Sequence, residues 1–153
     1  MSAYSTVVVG TDGSGTSLNA VDRAAALARD EDARLVIVCA YFRADTRSTA
    51  RDQDILGADA GYQVVGSAPA EDTLRTASDR ARAAGAVKIT TKAVEAKPAD
   101  ALTRAVADES ADLLVVGNVG LNTLAGRILG SVPLDVARHA GTDVLIVQTS
   151  QRG

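Results

Sequence analysis

Gly117-Asn118-Val119-Gly120 follows directly on the apolar run Leu113-Leu114-Val115-Val116, and Gly130-Ser131, separated from Gly120 by nine residues, opens a helical segment. A strand that feeds a glycine turn, followed by a helix start, presents backbone N–H groups and the positive end of a helix dipole to an anion. Glycine lets the backbone approach such a ligand closely. The loop after Gly117 and the helix start at Ser131 could therefore converge on one phosphate chain. Two glycines alone are better read as turns, with Gly130 easing the start of a helix. The order strand, GxxG, nine residues, GS, helix is far more restrictive. Arg127, between the two glycine elements, either meets phosphate or occupies a surface loop.

A second cluster stands near the amino terminus, where Val7-Val8-Val9 runs into Gly10-Thr11-Asp12-Gly13-Ser14. The Asp12 carboxylate could accept hydrogen bonds from a sugar or base. It could equally cap its own turn, as Asp before Gly often does. Ser131 has the same ambiguity, although helix capping and phosphate contact use one location and do not exclude each other.

Other chemistries lack their residues. Gly13-Ser14-Gly15 has Leu18 where a dinucleotide fingerprint needs its third glycine, and Asp12 and Asp22 would repel a pyrophosphate. No GxxxxGK[ST] occurs, so the lysine that neutralises a transferring phosphate is absent. There is no GxSxG elbow, and the single histidine, His139, falls where a helix should end, which suits a helix-terminal charge better than a general base. Cys39 is the only cysteine, which rules out an intrachain disulfide and suits a small buried hydrophobe. Asp108, Glu109 and Asp112 flank the amino end of a strand, and a solvated face explains them better than a metal site.

The elements that must position these residues alternate between β-branched runs and alanine-rich helical segments, the pattern of βαβ units around a parallel sheet. Thr6 to Val9, Leu35 to Val38, Leu113 to Val116 and Val144 to Val147 are continuously apolar, as strands covered on both faces should be. Lys88 to Val94 alternates with polar residues and suits a sheet edge. Helices are predicted over Ser17 to Arg29, Glu71 to Ala84, Pro98 to Asp108 and Ser131 to His139, the last with Pro133 in its first turn and Gly141 just past its end. Arg43 to Pro69 is polar, holds three glycines and has no sustained period, so it reads as a long variable loop, with Ile55, Leu56, Tyr62 and Val64 able to dock part of it.

At 153 residues, one domain is expected over 1–153. Hydrophobic residues form 46% of the chain, mainly alanine and valine, so helices and sheet should pack closely. A net charge of −3 gives no electrostatic footprint for nucleic acid or an anionic membrane. No run approaches the roughly 20 apolar residues that span a bilayer, and no basic segment leads an apolar one at the start. The expectation is a cytoplasmic protein with no nucleic acid or membrane partner.

The spacing G-x2-G-x9-G-S at the end of the fourth predicted strand resembles the nucleotide signature of the universal stress protein family. Val7 to Ser14 looks like that family's opening strand and acidic turn, and the βα order agrees over nearly the whole chain. Arg43 to Pro69 falls where the family varies. The resemblance implies an α/β three-layer sandwich of the adenine nucleotide alpha hydrolase-like type, with a doubly wound five-stranded parallel sheet in the order 3-2-1-4-5. It also implies a bound adenine nucleotide (ATP, AMP or cyclic AMP), with magnesium accompanying ATP. Gly10, Thr11 and Asp12 would line the nucleoside side, and Ala40 would offer backbone groups to adenine. Gly117, Asn118, Val119 and Gly120 would border ribose and phosphates, and Gly130, Ser131 and Val132 would contact phosphate, with Arg127 nearby.

One departure from the family pattern is Pro133, where a serine or threonine is frequent; it has neither hydroxyl nor N–H to give a terminal phosphate. AMP or cyclic AMP should therefore compete well with ATP. The resemblance further implies a homodimer paired through the edge strand Val144, Leu145, Ile146 and Val147, which is too apolar to remain uncovered. Three functions follow: a stress or signalling regulator with an unknown protein partner, a slow ATP hydrolase, or a nucleotide-free dimeric scaffold.

Overall fold

A computed structural model describes residues 3–42, 65–118 and 131–148. Its sheet contains β1 (Thr6–Gly10), β2 (Arg34–Tyr41), β3 (Ile89–Glu95), β4 (Leu113–Gly117) and β5 (Asp143–Val147), all parallel, in the order β3-β2-β1-β4-β5. The helices are α1 (Gly15–Glu31), α2 (Ser67–Ala83), α3 (Pro98–Glu109) and α4 (Ser131–His139). This is the doubly wound sandwich that the sequence leads one to expect, with β3 and β5 at its edges.

Strand alternation divides the core into two layers. Val7, Val9, Leu35, Ile37, Cys39, Leu113 and Val115 pack in one cluster with Ala20, Ala24 and Ala28 of α1 and Ala70, Leu74, Ala77 and Ala81 of α2. Val8, Val36, Val38, Leu114 and Val116 join the other cluster with Ala101, Leu102, Ala105 and Val106 of α3 and Val136 of α4. Strands buried on both faces have no polar side to show, hence their unbroken apolar runs. The alanines let the helices sit close: a Cβ added to Gly10 would lie 2.8 Å from Cδ2 of Leu102, so this glycine makes room for α3.

Two expectations need correction. The predicted loop over 43–69 ends early, because Val65 pairs with Phe42 in a parallel bridge and α2 already begins at Ser67. Pro69 stands in the first turn of that helix, where its missing N–H costs no intrahelical bond. Residues 43–64, with Ile55, Leu56, Tyr62 and Val64, lie outside the described residues.

The acidic residues at the amino edge are not simply a solvated face. Glu109 accepts from Arg34 Nη1 at 2.6 Å and from Lys92 Nζ at 3.0 Å, joining α3 to β2 and β3. The Arg34 and then the Lys92 hydrogen bonds hold its carboxyl below the ordinary range. Asp112 accepts from the amides of Ser5 at 2.9 Å and Thr6 at 3.0 Å, tying the lead into β4 to the start of β1. Burial works against its charge, yet the amides of Ser5, Thr6 and Asp112 itself outweigh that and keep its carboxyl low.

Candidate functional site

The carboxyl edge of the sheet gathers the ends of β1, β2 and β4. Val9 pairs with Val115 and Gly10 with Val38, so β1 ends between β2 and β4, with Ala40 two residues beyond Val38 and Gly117 two beyond Val115. The described candidates Gly10, Thr11, Asp12, Ala40, Gly117 and Asn118 thus lie along one edge of the sheet beside the central strand, where the chain order reverses and where folds of this kind form a ligand crevice.

The turn after β1 is held by its own hydrogen bonds. Thr11 donates its N–H to Val38 O at 2.9 Å, prolonging the ladder past Gly10. Its hydroxyl lies 2.8 Å from Ser17 Oγ and accepts the Gly13 amide at 3.1 Å. Thr11 is therefore occupied in shaping the turn. Asp12, only 9% exposed, accepts the Ser14 amide through Oδ1 at 2.9 Å. Among the described residues, its Oδ2 accepts no hydrogen bond. The turn-capping role and the ligand role assigned to Asp12 are therefore compatible, since each needs one oxygen. Ser14 then caps α1, its hydroxyl accepting the Ser17 amide at 3.3 Å, and Gly13 takes the positive φ of +87° that the tight turn requires.

Backbone direction singles out Ala40. Along β2, Leu35 donates to Lys88 O ahead of β3, whereas Arg34 donates to Ser5 O ahead of β1 and Val38 accepts from Thr11. Even-numbered residues of β2 thus turn their N–H and C=O toward β1. By this alternation Ala40 directs both groups to that side, beyond the point where β1 turns away. Further along, Phe42 O accepts the Gly66 amide at 2.6 Å. Ala40 stands between these two closures, and among the described residues no backbone bond from β1 reaches it.

Cys39 is fully buried one residue before, and burial first, then the charges of Asp12 and Glu71, push its thiol up to about 12. It is an inert packing group, as expected from the sequence. His139 is exposed at the far end of α4, near the start of β5 at the amino edge, with Nδ1 3.1 Å from Asp135 O. It does not reach the crevice, in keeping with a helix-terminal charge.

At β4, Asn118 donates its N–H to Val147 O at 2.7 Å and its side-chain amide to Gln148 at 2.9 Å, which anchors the chain leaving Gly117 to β5. Its N–H is thereby engaged within the sheet. Helix α4 begins at Ser131, and its first turn contains Val132 and Pro133. Val119, Gly120, Arg127 and Gly130 lie outside the described residues. Sequence reasoning missed Ser14 and Ser17, whose hydroxyls hold the β1 turn. The usable signal was a serine three residues ahead of another, just before the apolar helical period begins at Leu18.

The chain matches the universal stress protein family over residues 3–148. The universal stress protein Rv1636 of Mycobacterium tuberculosis is 53% identical over 150 residues, spanning 98% of this chain and 100% of the relative. Among solved structures, a universal stress protein in complex with cAMP is 50% identical, with a TM-score of 0.75, over 97% of this chain and 100% of its own. The universal stress protein from Archaeoglobus fulgidus in complex with dAMP, 22% identical with a TM-score of 0.64, shares the fold over 95% of this chain and 98% of that one.

Proposed function

Because the chain belongs to the universal stress protein family, we propose that it is an adenine-nucleotide-binding regulator acting as a single domain in the cytoplasm. The observation that carries this reading is Ala40, which no backbone bond from β1 reaches among the described residues and whose carbonyl takes only a weak Cys39 thiol contact at 3.6 Å, standing just past the end of the β1–β2 pairing from which the buried Asp12 turn departs. An N–H and a C=O side by side complement the acceptor and donor on the pairing edge of adenine, and a carboxylate oxygen complements a ribose hydroxyl. The methyl of Ala40 leaves room for a flat base. Gly117, Val119 and Gly120 would border the ribose and phosphates, with Gly130, Ser131 and Val132 at the phosphates and Arg127 near them.

Pro133 offers no donor at the first turn of α4, which favours few phosphates. AMP and cyclic AMP should bind at least as well as ATP, a reading supported by a 50% identical relative in complex with cAMP. Titration of the three nucleotides into the purified protein tests this, and a strong preference for ATP would refute it.

A slow ATP hydrolase is the second reading, with magnesium brought by ATP and Asp12 the one carboxylate assigned to the site. Steady phosphate release abolished by Asp12→Ala would promote it. A nucleotide-free scaffold is disfavoured by Gly117, Gly120, Gly130 and Ser131. Regulation would be exerted through a homodimer paired along Val144, Leu145, Ile146 and Val147, and on a protein partner met by residues 43–64.

A further inference from the structure

The chain has one phenylalanine, Phe42, and it follows directly on the end of β2. Alternation along β2 sends Leu35, Ile37 and Cys39 into the α1/α2 layer, where Tyr41 also packs, and sends Val36 and Val38 into the α3/α4 layer, where Ala40 packs. Phe42 is next on the Ala40 face, yet among the described residues it joins neither core cluster and remains partly exposed. Its backbone is nevertheless fixed, by the bridge to Val65 and by the Gly66 amide donated to its carbonyl at 2.6 Å. An aromatic ring held at this edge by its backbone, and among the described residues not by either core cluster, is available to a ligand.

A base that pairs with the N–H and C=O of Ala40 lies edge-on to β2, roughly in the plane of the sheet, so its two faces look toward the two helical layers. We propose that Phe42 is a positioning residue for the purine, its ring covering the base on the α3/α4 side by stacking. This inference rests on the nucleotide site set out above and adds to it the element that selects a base over a bare sugar phosphate. Stacking is tolerant of base identity, so the ring supplies affinity while the Ala40 edge supplies the preference for adenine.

The chain has no tryptophan, so Phe42→Trp introduces a single indole fluorophore at this point. AMP is expected to quench it saturably, and ribose 5-phosphate to leave it unchanged. Phe42→Ala should weaken AMP binding about ten-fold while leaving ribose 5-phosphate binding unaltered. Phe42→Leu keeps the apolar volume and the bridge, and with an unchanged melting temperature it should show a loss in the same direction. Wild-type affinity for AMP in a folded Phe42→Leu or Phe42→Ala protein, or an indole blind to AMP, would overturn the proposal while leaving the nucleotide site standing. A wild-type protein that binds no AMP would overturn the site and this inference together.

Discussion

The Asp12 carboxylate accepts the Ser14 amide at 2.9 Å, and this bond couples the acid assigned to ribose to the residue that caps α1. One oxygen builds the turn, and among the described residues the other accepts no hydrogen bond, so the turn and the proposed ligand contact should separate by substitution. Asp12→Asn keeps an acceptor for Ser14 and should retain the wild-type melting temperature within a degree or two. Its AMP affinity should fall at least about ten-fold, since hydrogen bonds to charged groups are worth roughly 1.5–3 kcal/mol. Asp12→Ala should lose the same affinity and also about 1 kcal/mol of stability. Calorimetric titration and thermal melts of both variants check the split.

Glu109 should make the fold acid-sensitive. Arg34 and Lys92 depress its carboxyl in the folded protein, so its contribution is complete above the ordinary value of 4.5 and is lost as pH falls through the lowered one. The melting temperature of the wild type should therefore drop as pH is taken below about 4.5. Glu109→Gln should melt lower near neutrality and show a shallower fall over the acid range. Equal slopes for the two proteins would show that the cluster does not govern acid stability.

How far the sequence was legible follows from the range of each interaction. The central strands could be read because Val7-Val8-Val9 and Leu113 to Val116 face apolar layers on both sides, which imposes a local composition. Asp12's turn-capping role could be read because it is a local feature of Asp before Gly, but the Ser14 and Ser17 hydroxyls that complete the turn were not singled out. The start of α2 could not, because Gly66, Ser67 and Pro69 are turn residues by type and only the remote pairing of Val65 with Phe42 fixes them. The amino-edge carboxylates were misread because Glu109 meets Arg34 and Asp112 meets Ser5 across 75 and 107 residues of chain. Ala40 was named by family resemblance. Its open edge emerges only from the direction of the β2 hydrogen bonds.

Cys39 should be chemically silent. With its thiol pushed up to about 12 and its side chain fully buried, no thiolate is present at neutral pH to attack a disulfide reagent. A chromogenic disulfide should label no thiol in the native protein and one per chain after denaturation. Rapid native labelling would show that β2 opens at this residue.

The edge strand β5 should pair with a second copy. Val144, Leu145 and Ile146 are only half-buried in the isolated chain, and an apolar edge invites a strand partner. Light scattering at micromolar concentration should give about twice the chain mass of 15.6 kDa. A mass of one chain would remove the dimer from the account.

The most direct test of the nucleotide site is a crystal structure of the protein grown with saturating AMP. The account predicts the adenine edge against the backbone of Ala40, a ribose hydroxyl within hydrogen-bond distance of Asp12 and the phosphate at the start of α4 beside Ser131. A nucleotide seated away from the ends of β1, β2 and β4, or a crevice without one under these conditions, would contradict it.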